Sequence, residues 1–82
     1  MGEWRIELTS SAEKSLKRLS RADQHRVRDA IDDLPAGDIK KLKGRSGQFH
    51  VRVGDVRVVF MPEWAARRIV IVEVFPRGAG YR

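Results

Sequence analysis

The sequence predicts a two-layer α+β domain, and three observations carry that reading. Residues 49–60 alternate apolar and polar around Gly54-Asp55, as a β-hairpin does. Residues 12–34 repeat apolar side chains at helical spacing in two short blocks. Residues 69–75 are apolar except for Glu73, the pattern of a strand buried on both faces. Residues 1–82 are read as a single domain, because a chain of 82 residues supports one small core.

Taken in order, Trp4-Arg5-Ile6-Glu7-Leu8 alternates and reads as a short strand with Trp4, Ile6 and Leu8 on one side. Thr9-Ser10-Ser11 then offers oxygens to cap a helix. Ala12, Leu16 and Leu19 give that helix one apolar stripe, and Lys14, Lys17 and Arg18 lie off it. Ser20 followed by Asp23 resembles a capping box, and Val27, Ala30, Ile31 and Leu34 carry a second helix to about Leu34. Pro35-Ala36-Gly37 stops it. The short break at Ser20 makes the pair a helical hairpin over a common core. His25 has no carboxylate or cysteine cluster around it and reads as a surface or core-edge residue.

Residues 35–47 read as a loop carrying Lys40, Lys41, Lys43 and Arg45 around a single apolar anchor, Leu42. Its glycines are dispersed and no Gly-Lys-Ser/Thr follows, so it is not a phosphate-cradling P-loop. In the hairpin, Gly first in the turn suits type II′. That turn sets Val53 opposite Val56, Arg52 opposite Arg57, Val51 opposite Val58 and Phe49 opposite Phe60. The valines and phenylalanines of those pairs then share a core face, and His50, Arg52, Arg57 and Val59 share the other. Residues 61–67 read as a turn with an exposed Trp64, and Pro76 ends the last strand. The order is β-α-α-β-β-β: strands at about 48–53, 56–61 and 68–75 form an antiparallel meander under the helical hairpin. The N-terminal strand joins that sheet at an edge or beside the last strand. Strict alternation places Val70, Val72 and Val74 on one face, with Ile69, Ile71, Glu73 and Phe75 on the other.

Charge is unevenly spread. Residues 1–34 hold seven Lys/Arg and seven Asp/Glu, whereas residues 35–82 hold ten and four, so the whole net +6 falls in the second part. Such segregation points to a polyanion-binding surface. Two arginines paired across a hairpin repel each other, so Arg52 and Arg57 are either snorkelling on a solvated face or held there for a phosphate. No cysteine, no paired carboxylates and no Asp/Glu cluster at metal-binding spacing occur, which argues against a protease, a glycosidase and a metallonuclease. What remains is Arg52, Arg57, Arg77, Arg82, His50, Tyr81 and the loop lysines. Arginines grip phosphate in bidentate fashion and neutralise a pentavalent phosphorane. His50 or Tyr81 suits proton transfer, and Tyr81 also suits stacking on a base. That set is enough for cleavage of RNA by its own 2′-hydroxyl. Without a long apolar run or a signal peptide, neither membrane insertion nor secretion is expected.

Lys41-Leu42-Lys43-Gly44, the block from Phe49 through Val53-Gly54-Asp55-Val56 to Phe60, and the tail Pro76-Arg77 to Tyr81-Arg82 resemble the RelE/ParE superfamily of type II toxins, and the tail favours its RelE-like branch. The resemblance spans nearly the whole chain and implies the RelE/ParE-like α+β fold. It also implies a metal-independent endoribonuclease, without a cofactor, that enters the ribosome and cuts mRNA by 2′-hydroxyl attack, inhibiting translation. By position, Arg57 matches the family's phosphate-stabilising arginine, Arg77 the transition-state arginine after the last strand, and Tyr81 the C-terminal tyrosine that stacks or assists proton transfer. His50 and Arg52 fall where some RelE toxins carry two lysines, and an imidazole suits general-base work better than an unshifted lysine. Lys40, Lys41, Lys43, Arg45 and Arg82 are then expected to contact RNA or ribosome backbone. The implied partners are a cognate antitoxin, the ribosome and mRNA, with operator DNA reached only through the antitoxin complex. The implied compartment is a bacterial or archaeal cytoplasm. Two other readings share the fold: a ParE-like inhibitor of DNA gyrase without nuclease chemistry, and a module that only binds nucleic acid.

Overall fold

In the computed structural model, residues 4–37, 39–41, 43–44 and 46–75 are described. Strand β1 spans Arg5–Leu8 and is followed by α1, Ser10–Lys17, and α2, Arg21–Asp33. Then come β2, Lys40–Lys41; β3, Phe49–Val53; β4, Val56–Glu63; and β5, Arg68–Phe75. The five strands form one sheet in the order β1-β5-β4-β3-β2. All neighbours are antiparallel except β1 and β5, which run parallel. The sheet is therefore mixed rather than wholly antiparallel. The N-terminal strand is both at an edge and beside the last strand.

Caps define the helices. Thr9 accepts the Ala12 amide on its Oγ1 at 3.1 Å, and Ser20 does the same for Asp23 at 3.1 Å. Helix α1 ends at Lys17, so Leu19 lies in the interhelical turn, where it still packs against the core. One apolar cluster joins Ala12, Leu16, Val27 and Ile31 of the helices to Val58, Phe60, Ile69 and Ile71 of the central strands. Both helices thus cover one face of the sheet.

Three local features depart from the sequence-based expectation. The loop at 35–47 contains β2, which pairs Lys40 with His50 and Lys41 with Phe49. Strand β4 runs past Pro62 to Glu63 instead of stopping near Met61. Pairing with β3 ends at Phe60, so only β5 lies beside Pro62 and its missing N–H costs no ladder bond on the β3 side. Third, the β4–β5 register slips. Val59 faces Glu73 but Phe60 faces Ile71, leaving Val72 as the extra residue of a bulge. Alternation restarts there, so Val74 joins Ile69 and Ile71 in the core cluster rather than sharing a face with Val70. Thr9 fills the bulge: its amide donates to the Ile71 carbonyl at 3.0 Å and its hydroxyl to the Val72 carbonyl at 2.8 Å.

Candidate functional site

The hairpin builds the site. Gly54 has φ +59°, in the left-handed region, while Asp55 has negative φ, as the first and second positions of a type II′ turn require. The register is the expected one, with Arg52 opposite Arg57, His50 opposite Val59 and Val51 opposite Val58. The pleat therefore directs His50, Arg52 and Arg57 to the face opposite the helices.

Strand β2 adds Lys40 beside His50. Lys40, His50, Arg52 and Arg57 line one cleft of about 310 Å³. A lysine, two arginines and an imidazole thus converge on a space wide enough for a phosphodiester. The Arg52 Nε–H points to the Gly54 carbonyl at 3.4 Å, a long contact that leaves the rest of its guanidinium for other acceptors.

Burial acts most strongly on His50 and lowers its pKa below the ordinary 6.5, with Arg57 and then Lys40 adding in the same direction. Its cross-strand neighbour Val59 is 0% exposed although it lies outside the main core cluster, which gives the imidazole an apolar flank. The buried Nδ1 of His50 has no hydrogen-bond partner among the described residues. At neutral pH this is an uncharged imidazole next to cations, able to take a proton.

The other sequence-derived candidates are placed differently. Lys41 pairs with Phe49, so its register is that of the helix-covered face, and Lys43 is exposed in the turn that follows β2. Arg45, Arg77, Tyr81 and Arg82 lie outside the described residues. The sequence reading grouped Lys40 with the loop lysines, whereas its pairing with His50 makes it part of the cleft.

No family model matches this chain. RelE1, a candidate toxin of Methanocaldococcus jannaschii, is 28% identical over 87 residues, covering 98% of this chain and 97% of that protein. The archaeal RelE–RelB complex of Pyrococcus horikoshii OT3 contains a chain 27% identical with a TM-score of 0.75, covering 96% of this chain and all of that one. In sequence and in fold the chain is similar to RelE toxins. Isolated RelE of E. coli superposes with a TM-score of 0.78 over 94% of this chain and 87% of its own, at 12% identity, so the RelE-like fold outlasts most of the sequence.

Proposed function

We propose that this RelE-like chain is the toxin of a type II toxin–antitoxin pair and an endoribonuclease that cuts ribosome-bound mRNA. The observation that supports it is the cleft in which Lys40, His50, Arg52 and Arg57 converge on the helix-free face. In the proposed reaction, Arg57 and Arg52 hold the scissile phosphate and neutralise its growing charge. Uncharged His50 takes the proton of the adjacent 2′-hydroxyl. The 2′-oxygen bonds to phosphorus and the bond from phosphorus to the 5′-oxygen breaks, leaving a 2′,3′-cyclic phosphate. The departing 5′-oxygen takes a proton from Tyr81, and Arg77 adds positive charge to the transition state. Every step uses side chains alone. Lys41, Lys43, Arg45 and Arg82 serve backbone contacts to mRNA or ribosome.

The relatives support the pairing with an antitoxin. The Pyrococcus RelE chain is in complex with RelB, and RelBE2 of Mycobacterium tuberculosis, 22% identical with a TM-score of 0.79 over 93% of this chain and 100% of that one, is a toxin–antitoxin complex. A cognate antitoxin is accordingly the proposed partner in the cytoplasm, and operator DNA is reached only through their complex.

The test of the chemistry is an mRNA carrying one 2′-deoxynucleotide on the 5′ side of the cut. Cleavage at that bond should vanish, cleavage elsewhere should persist, and the 5′ fragments should end in 2′,3′-cyclic phosphate. Cleavage at the deoxy position would rule out attack by the 2′-hydroxyl.

A further inference from the structure

A second surface lies away from the cleft, at the opposite edge of the sheet. Helix α2 packs over β3 and β4, so β1 at the far edge is covered only in part, and Ile6 and Leu8 remain half-buried. Along this seam run two adjoining hollows of about 890 and 240 Å³, which share Ile6 and Asp32 as lining residues. At the wider end the parallel pairing of β1 with β5 brings Trp4 to Trp64, the rings meeting edge to face with centroids 5.6 Å apart. Trp64 is 56% exposed, and among the described residues no other large hydrophobic side chain is exposed.

The wall facing these rings is negative. Asp32 and Asp33 close α2, whose last turn carries no basic residue, and neither carboxylate is ion-paired among the described residues. The negative end of the helix dipole adds to them. In a chain of net charge +6, the wider, aromatic hollow is thus bounded by two carboxylates and no cation among its lining residues, whereas Arg28 joins Asp32 in the narrower one.

We propose that this seam is a docking groove for a segment of a partner protein that presents a large apolar side chain flanked by lysine or arginine. The apolar side chain covers the Trp4–Trp64 pair, and the flanking cations meet Asp32 and Asp33. Strand β1 is separated from the β3–β4 hairpin by β5, roughly 10–15 Å of sheet at ordinary strand spacing, so an occupant here leaves the cleft open. The inference does not depend on the RNA chemistry.

Both tryptophans of the sequence line this groove, so intrinsic fluorescence reports on it directly. The full-length protein is titrated with a capped twelve-residue peptide alternating leucine and lysine, and with its leucine–glutamate counterpart. A saturable change in tryptophan emission is expected with the lysine peptide only. The double variant Asp32→Asn, Asp33→Asn should weaken it about tenfold, and Trp64→Ser should abolish it. Both variants alter exposed side chains, and circular dichroism checks that the fold is kept. An equal response to the two peptides, or none to the lysine peptide, overturns the proposal. So does sedimentation showing a dimer that Asp32→Asn, Asp33→Asn dissolves, because the occupant would then be a second copy of this chain.

Discussion

Arg52 and Arg57 face each other across the β3–β4 ladder, next to the turn and on the face opposite the helices. Like charges set directly opposite destabilise a sheet by a few tenths of a kcal/mol up to about 1 kcal/mol. An anion that bridges the two guanidinium groups would offset that repulsion. Replacing Arg52 with Thr is therefore expected to raise stability by about 0.5 kcal/mol in urea melts while weakening RNA binding. The salt slope of binding should fall by about one as well, since one phosphate contact is lost. Lower stability with unchanged binding would assign the pair a structural role.

His50 should titrate below its ordinary pKa of about 6.5, because burial, Arg57 and Lys40 all disfavour its charged form. If neutral His50 is the base, activity rises with pH through that lowered value and is already on its plateau at pH 7. Removing the charge of Lys40 by Lys40→Met should move the rising limb to higher pH. Inorganic phosphate bound in the cleft should raise the His50 midpoint measured by NMR. The sign for stability is the same: the lowered pKa favours the folded state above about 6.5, and that contribution fades as pH falls through the folded value.

Thr9 ties α1 to β5, capping the helix through Ala12 and holding the bulge at Ile71 and Val72. Thr9→Val removes both hydroxyl bonds and should cost about 1–2 kcal/mol in denaturant melts. Thr9→Ser keeps the oxygen and should cost far less. Equal losses for the two would mean that the methyl group, not the hydroxyl, matters.

Gly54 occupies the left-handed region at φ +59°, and a Cβ there would lie 3.7 Å from Arg26 Nη1, so space is adequate and strain is not. Gly54→Ala should cost about 1 kcal/mol and reduce RNA binding through the Arg52–Arg57 register rather than through any lost contact. Gly54→Asn, which tolerates positive φ better, should recover part of both.

What the chain made legible follows from the range of each signal. The hairpin register could be read because period-two alternation and Gly54 fix it locally, and with it came His50, Arg52 and Arg57. The helix starts could be read from Thr9 and Ser20. The bulge could not, because Val70-Ile71-Val72 is apolar throughout and hides which residues share a face. Lys40–Lys41 carries no strand signal, since two lysines bridge to β3 without burying anything, so Lys40 entered the cleft only with the structure. The parallel pairing of β1 with β5 depends on contacts more than sixty residues apart. An exposed Trp64 could be expected from sequence, but its meeting with Trp4 could not.

The most direct test of the proposed function is primer extension on an mRNA programmed into ribosomes, comparing wild-type protein with Arg57→Ala at matched circular dichroism. The account predicts cuts at ribosome-bound codons for the wild type and a loss of at least about a hundredfold for Arg57→Ala, the scale on which removing one charge-stabilising group acts. Cuts that persist undiminished in Arg57→Ala would contradict the role given to the cleft. An absence of cuts from folded wild-type protein that still arrests growth would contradict the nuclease itself and favour inhibition of DNA gyrase by protein contact.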